Sequence, residues 1–147
     1  MVASIVDVAA RVLAHFVSLS TMKLQKLVFY SQAYSLVETG KPLFASDFYA
    51  WRAGPVAVDL YSLHRGEFFA PKELIEAKAE PLNQQERELV DEVVEKLGEL
   101  SGRQLSERTH SEAPWLDARG DLDPSAPGRH VISKESIADY YAKHPVL

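Results

Sequence analysis

Apolar residues return every three or four positions at the start of the chain. Ile5, Val8, Ala9, Val12, Leu13 and Phe16 form one stripe, with Asp7 and Arg11 off it. This pattern predicts an amphipathic helix over 4–19. Ser18, Ser20 and Thr21 break it, and a hydroxyl of Ser20 or Thr21 can cap the helix that follows. That second helix is expected over 22–38, with Leu24, Leu27, Val28, Ser31, Tyr34 and Ser35 on one face and Lys23, Lys26 and Tyr30 beside it. Gly40 and Pro42 stop it. Residues 46–52, SDFYAWR, alternate loosely and are aromatic, which favours a strand. Ala53-Gly54-Pro55 then reads as a sharp turn, with Pro55 opening a helix over Val56–His64.

The periodicity is weaker from 67 to 81, where KELIEAK is either a short helix or an irregular crossing between Pro71 and Pro81. Asn83 followed by Glu86 forms a capping signal. The helix it opens should run to Leu100, with Leu89, Val90, Val93, Val94, Leu97 and Leu100 at 3–4 spacing and Ser101-Gly102 as its stop. A short helix over 103–110 turns Leu105 inward, and Ser111 is the expected cap for a one- or two-turn helix carrying Trp115 and Leu116. The Pro- and Gly-rich stretch 120–130 reads as a loop. Ser133 caps a last helix over 134–143, with Ile137, Tyr140 and Tyr141 packing back. The expected fold is therefore mainly α (α+β): a single helical domain over 1–147 with a small β element near 46–52.

Length and composition leave that picture standing. A chain of 147 residues, 46% hydrophobic and 25% charged, can bury one core without staples. It has no cysteine, which removes disulfides, thiolate zinc sites and a cysteine nucleophile. Asp7 and Arg11 interrupt the first apolar stretch, so it does not read as a leader, and no apolar run is long enough to span a membrane. The expected location is cytoplasmic. Charge is uneven. The net value is -5, yet residues 71–123 hold 14 acids against 7 bases, while the remainder holds 7 acids against 9 bases. Such an acidic half argues against broad phosphate-backbone binding and suits a protein partner.

Candidate chemistry is sparse. The five histidines, His15, His64, His110, His130 and His144, make no metal-binding spacing, and no nucleophile elbow or phosphate loop is present. No metal, cofactor or catalytic residue is expected. His110, beside Thr109 and Ser111, is expected to fix the segment before Trp115 through a backbone carbonyl. Alternation puts Trp51 on the face of Tyr49, where core burial is expected. Against that, a Trp beside an Arg at a turn is the composition of a protein-binding hot spot. Lys23 and Lys26 would join Arg52 in a small basic spot if they lie near it. Helices 4–19 and 22–38 also permit a helix-turn-helix, in which Lys23, Gln25 and Lys26 would read bases. The aromatic remainder of the second helix does not fit that role.

Three runs, MKLQKLVFYSQAYSL, AW-R-AGPV-AVDLY and TH-SEAPW, resemble in order and spacing the Panacea domain, the SocA-like or GepA-like family of bacteria and their phages. The resemblance spans about Met22 to Tyr141. It implies a small, cytoplasmic, mainly helical antitoxin that neutralises a toxin encoded by the adjacent gene through direct protein contact. One branch of the family implies a second mode, a proteolytic adaptor delivering a toxin to the ClpXP protease. Some members carry DNA-binding segments, and a DNA-binding regulator is the third reading. The family signature falls here on Lys23, Leu24, Gln25, Lys26, Trp51, Gly54, Pro55, Tyr61, His110, Pro114 and Trp115. Of these, Lys23, Lys26, Trp51, Gly54 and Pro55, with the adjacent Arg52, are the candidates for partner contact. Leu24, Gln25, Tyr61, His110, Pro114 and Trp115 are the candidates for holding the fold.

Overall fold

In the computed structural model, residues 3–123 and 125–147 are described. They form α1 (Ile5–Leu13), α2 (Thr21–Thr39), β1 (Phe48–Trp51), β2 (Gly54–Ala57), α3 (Val58–His64), α4 (Lys72–Lys78), α5 (Gln84–Leu97), α6 (Gly102–His110), α7 (Ala113–Arg119), β3 (Val131–Ile132) and α8 (Lys134–Lys143). The expected mainly α (α+β) class holds. None of these helices is long and apolar enough to cross a membrane.

Local signals explain most helix starts. Ser4 with Asp7, Asn83 with Glu86 and Ser101 with Gln104 each form a reciprocal capping box, in which two side chains satisfy two orphan N–H groups. Ser20 caps α2 and Ser133 caps α8. Gly40 ends α2 at φ 72°, in the left-handed region that favours glycine.

α2 is the axis of the molecule. It packs against α1, α5, α6, α8 and β2, and Leu24 through Ala33 are buried without a break. The expected single apolar face is thus too narrow: Lys26 and Tyr30 lie inside, at 1% and 0% exposure. Around Phe29 the rings of Tyr30, Phe48 and Tyr141 meet edge to face, with centroids 5.1–6.2 Å apart.

The strands form one antiparallel sheet in the order β2-β1-β3. β1 pairs Ala50 with Pro55 and Trp51 with Gly54 on one side, and Phe48 with Ile132 on the other. Phe48 and Ala50 point into the core, while Tyr49 and Trp51 are half-buried on the opposite face. The 46–52 strand is present, but the helix expected from Val56 starts only at Val58, because Gly54–Ala57 extends as β2. An edge strand tolerates Pro55, whose missing N–H faces away from β1.

Other boundaries shift for tertiary reasons. α1 stops at Leu13, and the chain that follows instead runs beside 67–70, where the Thr21 N–H donates to Phe68 O and the Ala70 N–H to Leu19 O, each at 2.8 Å. α5 ends at the Gly98 cap, not at Leu100, and Ser101-Gly102 opens α6. Ser111 closes α6, and Glu112 takes the N-cap position of α7.

Candidate functional site

The hairpin of β1 and β2 sits on α2, α6 and α7, and side chains from these helices take its carbonyls one after another. From α7, the Arg119 Nη1 donates to Ala50 O at 3.0 Å and the Trp115 Nε1 to Trp51 O at 2.8 Å. From α6, the Ser106 hydroxyl donates to Ala53 O. From α2, the Lys26 Nζ donates to Pro55 O at 3.1 Å and the Gln25 amide nitrogen to Ala57 O at 3.2 Å. The Ala57 N–H returns a bond to the Gln25 amide oxygen at 2.9 Å. The outer edge of β2 is thereby closed by two adjacent residues of one helix.

Lys26 is the costliest member of this set. Its amine is fully buried, and burial lowers its pKa from 10.5 to about 7, since a charge in an apolar interior loses its hydration. Its stem runs beneath Gly54. A Cβ built at Gly54 would lie 2.5 Å from Lys26 Cε and 3.0 Å from Thr109 Oγ1, and its φ is 119°. Glycine is therefore required there twice, by space and by backbone geometry. Lys26 also faces two imidazoles. His64, bonded to the Gln25 amide at 3.0 Å, and His110 both have lowered pKa, first by burial, with the Lys26 charge adding to it.

His110 fixes the Trp115 segment by stacking: the rings lie 4.1 Å apart at 25°. Its Nε2 is buried without a hydrogen-bond partner among the described residues. Leu24 is fully buried, and Pro114 lies in the first turn of α7, where a missing N–H costs nothing. Tyr61 holds the indole of Trp51 edge to face, with centroids 4.9 Å apart.

The polar groups thus divide into two sets. Gln25, Lys26, Gly54, Pro55 and Trp115 are buried inside the fold. Trp51 is half-buried and Arg52 exposed, so Trp51 does not sit in the core as expected. Lys23 is separate from this face, with its Nζ bonded to Gly98 O at 2.5 Å and set over the Phe16 ring. The basic spot of Lys23, Lys26 and Arg52 therefore does not assemble, because burial removes Lys26 from the surface. The helix-turn-helix reading loses Gln25 and Lys26 as base-reading groups for the same reason.

Several residues of the site carry no readable sequence signal. Arg119 is 3% exposed, donates also to Asp123 O and Ala126 O at 2.8 and 2.7 Å, and lies 5.2 Å from the Trp115 ring. Gly128 lets the following loop meet the hairpin, since a Cβ there would stand 1.9 Å from Ala50 O. Glu112 is 7% exposed and accepts from the hydroxyls of Tyr30 at 2.5 Å and Tyr141 at 2.8 Å, with Arg108 alongside at 3.4 Å. The bonds that tie them into the fold include partners 69 and 82 positions away, Ala50 for Arg119 and Tyr30 for Glu112, which no local pattern records.

The sequence that builds this frame is similar to that of known proteins. The chain is 27% identical over 141 aligned positions to Antitoxin SocA of Caulobacter vibrioides (strain NA1000 / CB15N), with 86% of this chain and 71% of that relative covered. No solved structure matches it. The family model described as "Antitoxin SocA-like, Panacea domain" matches residues 24–116, from Leu24 in α2 through the hairpin to Leu116 in α7. The chain belongs to that Antitoxin SocA-like, Panacea domain family.

Proposed function

We propose that this protein is an antitoxin that neutralises a cognate toxin, the product of an adjacent gene, by direct protein contact through the outward face of the β1–β2 hairpin. One observation supports the choice of face. The hairpin backbone is held by five side chains from three helices, while Arg52 is exposed and Trp51 half-exposed. Trp and Arg are the residue types enriched at energetic hot spots. A surface fixed before binding loses little conformational freedom on association. The family supports the antitoxin role, and so does the relative's name.

The test is growth rescue. Each neighbouring open reading frame is expressed in a host with and without this protein, and viability is scored beside co-purification. Rescue with a stable stoichiometric complex is the expected result, and Trp51→Ala or Arg52→Glu should abolish it while leaving the protein folded. A harmless neighbour that neither kills nor binds would overturn the antitoxin role. Rescue without a complex, with toxin levels that fall only when the host protease is present, would overturn stoichiometric binding in favour of delivery for degradation.

A further inference from the structure

Beside the hairpin tip lies a cleft of about 420 Å³, lined by Trp51, Arg52, Ala53, Pro127, Gly128 and Arg129. Between the two arginines the lining is mostly apolar, from Trp51, Ala53 and Pro127. Arg52 and Arg129 are both exposed, and neither forms an ion pair among the described residues. A third guanidinium, Arg119, is buried behind Trp115 and spends its donors on the carbonyls of Ala50, Asp123 and Ala126. It adds positive potential beside the cleft, with no carboxylate bonded to it among the described residues. Asp123 accepts from the Ser125 N–H and hydroxyl at 2.9 and 2.7 Å, and its charge offsets part of that of Arg119. The local charge thus opposes that of the whole chain, which is -5.

We infer that this cleft binds an acidic side chain next to an apolar one on a segment of the partner protein, with Arg52 and Arg129 clasping the carboxylate and Trp51 covering the apolar neighbour. The inference rests on reading the hairpin face as the partner-binding surface. An arginine fork matches a carboxylate through paired N–H bonds, and the indole excludes water from that pair, which strengthens it. A nucleic acid would also meet arginines, but its affinity comes from a row of neutralised phosphates. Two exposed arginines around an apolar pocket on an acidic protein do not form such a row.

The experiment needs no knowledge of the toxin. A phage-displayed library of random twelve-residue peptides is selected on the folded wild-type protein and on the double variant R52E/R129E. Equal melting temperatures establish first that both variants are folded, as expected for two exposed positions. The expected result is enrichment of Asp or Glu beside Leu, Ile or Phe on the wild type. The selected synthetic peptides should bind the double variant about tenfold or more weakly and should weaken with added salt. Peptides without acidic enrichment, equal binding to both proteins, or no selected peptide would each overturn the inference. So would a random single-stranded DNA oligonucleotide that binds the wild type more tightly than the peptides and is lost on R52E/R129E. Growth rescue by the wild type with failure of this selection would leave the antitoxin role intact and remove only the acidic anchor.

Discussion

Lys26 donates to one carbonyl and has no carboxylate beside it among the described residues. Its pKa falls from 10.5 in the free side chain to about 7 in the fold. Between these values the unfolded chain holds a proton that the folded chain has released, so stability rises with pH from about 7 toward 10.5. Below 7 both states hold the proton and the burial penalty is fully present. Lys26→Met should therefore stabilise the protein by about 1–3 kcal/mol at pH 6, and this gain should shrink by pH 9.5. Thermal melts of both proteins across that range check it; a gain independent of pH would mean that the amine does not titrate there. Gly54 permits a second test. Gly54→Ala places a methyl group against the Lys26 stem at a positive φ and should cost roughly 2–4 kcal/mol. The double variant Lys26→Ala/Gly54→Ala, in which the stem is shortened, should recover part of that loss in chemical denaturation.

At the scale of elements, the helix starts could be read from short-range chemistry, because a capping box is complete within four residues. Asn83→Ala should accordingly cost about 1 kcal/mol, seen as a melting temperature lower by about 3 °C. The strands could not be read so well. β3 has two residues, and β2 exists because α2 supplies partners to its outer edge. Gly54-Pro55 alone reads equally as a turn before a helix. Burial of Lys26 was hidden for a related reason: hydropathy treats lysine as solvated, and only the neighbouring hairpin carbonyl gives its amine a place inside. Trp51 went the other way, since alternation fixes which residues share a face but not which face is inward. The Glu112 cluster joins α2, α7 and α8 through Tyr30 and Tyr141. Burial, together with the Glu112 charge, raises both tyrosine pKa values well above the ordinary range. Glu112→Ala leaves both hydroxyls without their acceptor and should cost about 3 kcal/mol. Urea titrations compare it with the Tyr30→Phe/Tyr141→Phe/Glu112→Leu triple variant, in which the polar groups are removed together and the loss should be smaller.

The whole molecule is built around one helix enclosed on nearly every side, so its core and its candidate surface are coupled through α2. Hydrogen exchange should show this as a gradient. The amides of Leu24–Ala33 should open only in global unfolding, whereas those of 125–129 should exchange through local opening. Protection of the Ala57 N–H, bonded to a side chain on α2, should follow the helix and not the loop. A fast-exchanging Ala57 would show that the hairpin moves independently of its support.

That backing of the hairpin has a consequence for how such a protein changes its target. The bonds that shape the hairpin come from buried side chains and end on main-chain carbonyls, which every residue possesses. Trp51, Arg52 and Arg129 take no part in those bonds through their own side chains. Substitutions at the exposed Arg52 and Arg129 can therefore accumulate without breaking those bonds, whereas Trp51 also packs on Tyr61. On the proposed reading of the hairpin face as the partner-binding surface, a library confined to these positions is the natural starting point for redirecting the chain to another partner.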